Sequence, residues 1–166
     1  MPSISTSTRK RLARARRLRE REKGLQTPVH YNNLRYRFDA SLRILGVGEH
    51  HDRISIETGL RPSYVHRAGD PRSKWFAKLG VWPEDAWRLD SPLGEGALLE
   101  EHLRWLWTTV APHKAYFKAL IEKASWASVC LGCLSTTPFP FWTVSASSLE
   151  ITRELNLGLS FNFTLT

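Results

Sequence analysis

The stretch YRFDASLRI, residues 36–44, alternates apolar and polar side chains without a break. A period of two residues is the pattern of a β-strand that is buried on one side. The apolar side comprises Tyr36, Phe38, Ala40, Leu42 and Ile44, and the polar side comprises Arg37, Asp39, Ser41 and Arg43. We therefore expect a half-buried strand here, with a sheet built around it.

The rest of the chain alternates between strand and helix patterns. Further strands are predicted at 63–67, 86–90, 126–134, 141–147 and 157–165. Helices are predicted from Asp52, as a capping residue, to Gly59 and over 97–110, 112–124 and 148–156. The last strand has one fully apolar face, which should cover a core. This order predicts a single α+β domain with an antiparallel or mixed sheet and helices packed on one face, namely a ferredoxin-like βαββαβ core plus a βαβ extension.

Composition limits the class of protein. The chain has 166 residues, of which 42% are hydrophobic, and it contains two cysteines. That length suits one domain plus a tail, and the apolar content excludes wholesale disorder. No apolar run approaches the roughly 20 residues that span a bilayer, and no signal-peptide pattern follows the basic N-terminus. We expect a cytoplasmic protein with no membrane partner.

The formal net charge of +8 is concentrated at the N-terminus. Residues 1–28 hold nine basic groups and two acidic ones, a net of +7, which leaves 15 basic and 14 acidic groups, a net of +1, for 29–166. The basic groups are Arg9, Lys10, Arg11, Arg14, Arg16, Arg17, Arg19, Arg21 and Lys23. We expect a tail, flexible or helical over 8–24, that could contact nucleic acid through its charge. A solvated extension, or a start codon assigned too far upstream, explains the same charge.

Aromatic and basic side chains interleave from the second predicted strand to the third, over residues 64–88. Such a surface can grip a flat or anionic partner. The candidate binding residues are Tyr64, His66, Arg67, Arg72, Lys74, Trp75, Trp82 and Trp87, together with Phe76, Lys78 and Arg88. Aromatic residues of a small domain also serve as core anchors, so burial is the alternative interpretation.

Two short motifs raise the question of a metal site. His50 and His51 are adjacent, and Cys130 and Cys133 form a C-x-x-C pattern. Within a strand, however, residues three apart point to opposite faces, and no second C-x-x-C completes a four-cysteine site. We favour no metal and expect no cofactor. No P-loop and no G-x-S-x-G motif occurs, so no catalytic residue is assigned.

Several short motifs stand in the order seen in a bacterial family of domains of unknown function, DUF4279. They are ISIETGLRPS (54–63), RAGDP (67–71), WRL (87–89), LLEEHL (98–103), VSASSL (144–149) and LNLGL (155–159). The resemblance covers about residues 36–165 and implies a compact α+β domain with no established catalytic residues. Some such domains resemble immunity or conflict-system proteins.

We therefore expect a non-catalytic binding module with a protein partner, of immunity or conflict type. The first alternative is a nucleic-acid-associated protein that uses the tail and the aromatic segment. The second is a metal-dependent enzyme that uses His50, His51 and a cysteine.

Overall fold

The computed structural model describes residues 36–94, 96–136 and 141–165. Within these ranges the chain forms five strands and four α-helices. The strands are β1 (Tyr36–Leu45), β2 (Tyr64–His66), β3 (Ala86–Asp90), β4 (Trp126–Ser135) and β5 (Gly158–Leu165). The helices are α1 (Arg53–Thr58), α2 (Leu99–Val110), α3 (Lys114–Ile121) and α4 (Glu150–Leu155), and single 3-10 turns lie at 48–50, 77–79 and 111–113.

The strands form one mixed sheet in the order β2-β3-β1-β4-β5. The neighbours among β1 to β4 are antiparallel, whereas β5 runs parallel to β4. A parallel neighbour needs a crossover connection, which α4 supplies between β4 and β5. The α+β prediction is confirmed, with a βαββαβ core that ends at β4 and a βαβ extension that ends at β5.

One face of the sheet is covered by helices, as predicted. The pairing register places Leu42 of β1 beside Val129 of β4 and Leu89 of β3, and all three are buried. Side chains from all four helices join the same buried cluster, including Leu103 and Leu106 of α2. Because this single cluster spans three strands and every helix, it holds the domain together.

The opposite face, which we call the open face, carries the polar residues of the alternating strands. Arg43 of β1 pairs with Arg88 of β3, and Arg88 pairs in turn with Tyr64 of β2. Toward the other edge, Ser41 pairs with Cys130 of β4. Residues that face each other in a sheet point to the same side, so these side chains share one surface.

The predicted strand at 141–147 is wrong. Residues 141–145 are irregular, and a turn follows at 146–149. The physical reason lies in β4, because both of its edges are already paired, one with β1 and the other with β5. The apolar side chains of this segment pack instead of pairing, as when the Trp142 ring meets Phe38 edge-on at 6.0 Å.

The last strand covers the core only at its start. Leu157, just before β5, is buried, and Leu159 is partly buried against the core. Phe161, Phe163 and Leu165 lie on the same face but are exposed. Our expectation that the whole apolar face covers a core is therefore wrong beyond Leu159, because β5 is the edge strand of the sheet.

Candidate binding surface on the open face of the sheet

Five side chains form a continuous stack along the β2 edge of the open face. The Arg88 guanidinium lies over the Tyr64 ring at 5.5 Å, and Tyr64 meets His66 edge-on at 5.4 Å. His66 stacks on Trp82 at 4.1 Å, and Arg72 lies over the Trp82 ring at 5.1 Å. We call this set the aromatic ladder. Aromatic pairs and cation–π contacts each contribute about 0.5–1.5 kcal/mol, so the ladder fixes its own members.

A cavity of about 330 Å³ opens beside the aromatic ladder. The register explains its position, because Arg43 and Arg88 are cross-strand neighbours in the middle of the open face. The cavity is lined by Arg43, Leu45, Tyr64, His66, Trp82, Ala86, Trp87 and Arg88. It therefore combines two guanidinium groups with an apolar and aromatic wall, which is the composition of a ligand site.

The two arginines of the cavity are held by short contacts. The Arg43 Nε donates to Ser41 Oγ at 3.0 Å, and an Arg88 Nη donates to Asp90 at 2.8 Å. The Arg88 Nε and the His66 Nδ1 are buried but have no hydrogen-bond partner among the described residues. Buried polar nitrogens normally have a hydrogen-bond partner, so these two atoms are exceptions among the residues that line the cavity.

Residues 67–83, which we call the aromatic loop, are fixed by their own hydrogen bonds. The Gly69 N–H donates to the Trp82 carbonyl at 2.8 Å, and the Trp82 N–H donates to the Asp70 carbonyl at 2.9 Å. The Arg72 N–H donates to the Gly80 carbonyl at 3.0 Å. Because Trp82 also belongs to the aromatic ladder, this hairpin-like base is anchored to the sheet.

The tip of the aromatic loop presents apolar side chains to solvent. Ser73 Oγ accepts hydrogen bonds from the backbone N–H groups of Trp75 and Phe76, at 3.1 Å and 3.2 Å, which orders the tip. Trp75 is nevertheless 88% exposed and Phe76 is 59% exposed. Leu79 and Val81 on the return side of the loop are also exposed. A large apolar group on an ordered loop is typical of an interaction surface.

The structure unites some of the predicted binding residues and separates others. Tyr64, His66, Arg72 and Trp82 meet in the aromatic ladder, while Lys74 and Trp75 lie at the loop tip.

Arg67 forms an ion pair with Asp52 instead of facing the cavity. The hydrogen bond from Arg67, followed by that from His51, lowers the pKa of Asp52. The Asp52 carboxylate caps no helix N–H, contrary to expectation, because it is engaged in these contacts.

The Trp87 side chain is buried in the core, which is the alternative interpretation given for these aromatic residues. Its side chain is 1% exposed, and its ring lies 5.8 Å from Phe117 of α3. Strand alternation is the reason, since Trp87 pairs with Ile44 on the helix-covered face while its neighbour Arg88 points to the open face. Trp87 nevertheless lines the cavity next to Arg88.

The residues considered for a metal site are not brought together. His51 hydrogen-bonds the Ala86 carbonyl through Nε2 at 3.0 Å, and His50 lies 3.3 Å from the Lys123 ammonium. Both histidines follow the end of β1, whereas Cys130 pairs with Ser41 in the middle of that strand. Across the described residues, no three His, Cys, Asp or Glu side chains are arranged to hold a metal ion.

The two cysteines lie on opposite faces of β4. Cys133 belongs to the buried core, and Cys130 lines a second cavity of about 200 Å³ on the open face with Asp39 and Asn162. Burial raises the pKa of both thiols. A Cβ on Gly132, between the two cysteines, would meet the Asp39 carboxylate, which would have to move aside. The two thiols of the C-x-x-C pattern are therefore protonated and lie on opposite faces of the strand, where they cannot act together as a redox pair.

Arg43 is the residue that the sequence interpretation missed. It lies on the polar side of the first strand. Its β3 partner Arg88 and its cavity neighbour Tyr64 are 45 and 21 residues away in the chain. The sequence does show a charged residue within an alternating strand, which is the signal that could have pointed to a site. That signal identifies a candidate site only when the strand order is known, because the strand order places Arg43 beside Arg88.

The basic tail, residues Arg9 to Lys23 with the predicted helix 8–24, lies outside the described residues. None of the helices that are described has the length and apolar character needed to cross a bilayer.

A comparison with models of protein families shows to which family the chain belongs. The model described as "Domain of unknown function (DUF4279)" matches residues 35–165, most of the chain. The chain belongs to the DUF4279 family. The match confirms the resemblance carried by the short motifs, and this DUF4279 domain spans the whole sheet from β1 to β5. Neither curated proteins nor solved structures gave a match to it.

Proposed function

We propose that this DUF4279 domain is a non-catalytic binding module that docks a partner protein on the tip of the aromatic loop. The observation that carries the proposal is Trp75, which is 88% exposed on a loop whose backbone is held in place. Tryptophan is enriched among the residues that dominate binding energy at protein interfaces. A fixed loop also loses less conformational freedom on binding than a flexible one.

The charge of the aromatic loop indicates the chemistry of the partner. Residues 67–83 contain four basic groups and one acidic group. Arg67 is paired with Asp52, whereas Arg72, Lys74 and Lys78 have no ion pair among the described residues. We therefore expect a partner with an apolar pocket for Trp75 inside an acidic rim, because complementary charge speeds association and fixes orientation. An immunity-type role, suggested by the family resemblance, would make that partner a toxin.

Affinity capture from the native cell with matched variants tests the proposal. The baits are the full-length chain, a Trp75→Ser/Phe76→Ser double variant, and Ile56→Ser as a control. Ile56 lies on α1, outside the aromatic loop, and is 78% exposed, so its substitution removes an exposed apolar group of a different element. Each capture is done with and without nuclease treatment. Bound proteins are quantified by mass spectrometry and bound nucleic acid by absorbance.

The proposal predicts one protein that the wild-type and Ile56→Ser baits retain and the double variant loses by about tenfold or more, as expected for an interface anchor. Equal retention by the double variant would show that the loop tip is not the contact. Retention only of nucleic acid, released by nuclease or by added salt, would support the nucleic-acid alternative instead.

A further inference from the structure

We propose that the cavity between Arg43 and Arg88 binds a small organic oxyanion, a carboxylate or phosphate group attached to a flat ring. This site is distinct from the exposed tip of the aromatic loop, and the inference does not depend on the proposed protein partner. It is carried by the charges, the unsatisfied atoms and the lining of the cavity.

The pairing of the two arginines requires an explanation. They stand directly opposite each other on β1 and β3, and like charges in that position destabilise a sheet. Arg88 has Asp90 as an ion-pair partner, but half-buried Arg43 has none among the described residues. An anion between the two guanidinium groups would convert this repulsion into two attractions.

Two unsatisfied buried atoms belong to residues that line the cavity. The Arg88 Nε and the His66 Nδ1 are buried without a hydrogen-bond partner, and both residues line the cavity. A guanidinium presents a fork of donors that matches the two oxygens of a carboxylate or phosphate. Because Arg88 already rests on the Tyr64 ring and on Asp90, the fork is held in place before any ligand arrives.

The apolar residues that line the rest of the cavity favour a ligand with a flat ring next to its anionic group. Leu45, Ala86 and Trp82 supply apolar surface beside the two arginines. The volume of about 330 Å³ lies at the lower end of the range for small-molecule sites. A single ring bearing one oxyanion group matches both the size and the division into an apolar and a cationic part.

Calorimetric titration of the full chain with three probes tests the site. Phenyl phosphate and benzoate share a ring and differ in the oxyanion, whereas benzyl alcohol keeps the ring without the charge. We expect saturable binding of at least one anion and none of benzyl alcohol, and the stronger anion then identifies the ligand group. No saturable binding of either anion, or equal binding of benzyl alcohol, would overturn the proposal.

Variants connect the binding to the two arginines. Arg43→Gln and Arg88→Gln should each weaken the preferred anion by about tenfold or more, since each removes a charged donor fork. Arg104→Gln on α2 makes the same charge change away from the cavity and should bind as the wild type does. If Arg43→Gln does not fold, Arg43→Lys replaces it in the titration, because lysine keeps the positive charge but lacks the fork of N–H donors. Unchanged affinity in the Arg43 and Arg88 variants would overturn the assignment.

Discussion

Removal of the Trp82 ring should loosen the aromatic loop without unfolding the sheet. In Trp82→Ala the stack on His66 at 4.1 Å and the Arg72 cation–π contact at 5.1 Å are lost. These contacts contribute about 0.5–1.5 and 0.5–1 kcal/mol, a sum of about 1–2.5 kcal/mol. Since local opening is governed by local contacts, the loop should open about 5- to 70-fold more often.

Native-state hydrogen exchange measures this opening directly. The loop amides to follow are Gly69, which donates to the Trp82 carbonyl, and Arg72, which donates to the Gly80 carbonyl. The Ser91 amide, which donates to the Ala40 carbonyl in the sheet, should keep its wild-type rate. Unchanged loop rates would show that the aromatic ladder does not anchor the loop to the sheet. Equal acceleration at Ser91 would show that the loop does not open independently of the sheet.

A matched control distinguishes the loss of a ladder contact from the loss of an exposed tryptophan ring. Trp75→Ala removes the same ring from the loop tip, where it is almost fully exposed. Because the Trp75 ring takes no part in the ladder, its removal should leave the exchange rates of the loop base unaltered. Faster exchange in this variant would mean that the tip itself stabilises the loop.

Three further predictions concern the sheet and core. Gly46→Ala should lower the free energy of unfolding in urea by about 2 kcal/mol or more, because φ is +65° and the new Cβ would lie 2.7 Å from Ser125 Cβ. Gly48→Ala, at φ +54° in open space, should cost less. Burial lowers the pKa of His102, so the unfolded chain takes up that proton first. The free energy of unfolding should therefore fall as pH drops below about 6.5, and a pH series on His102→Gln should show a flatter slope. Iodoacetamide should label Cys130 slowly at neutral pH until urea unfolds the chain, since burial raises the pKa of this thiol.

The sequence predicts those features that depend on local pattern. The alternation in 36–44 places the core side of β1 correctly, and the same rule applied to 86–90 would have placed Trp87 with Leu89 on the buried side. The strand period therefore outweighs the aromatic-rich composition of the neighbouring segment in deciding where Trp87 lies.

Other features depend on which strands become neighbours. Residues 141–147 have the composition of a strand but find no free edge beside β4. The meeting of Arg43 with Arg88 arises from the order β3-β1, which joins segments far apart in the chain. Local propensity carries no information about such pairings, so the open-face cavity emerges only from the fold.

We propose that the Trp75 side chain contacts a partner protein in the cell. A photo-crosslinking amino acid at position 75, compared with the same group at exposed position 56, tests it most directly. The claim predicts a crosslinked protein adduct that forms at position 75 and not at position 56. Adducts of equal yield at both positions, or none at position 75, would contradict it.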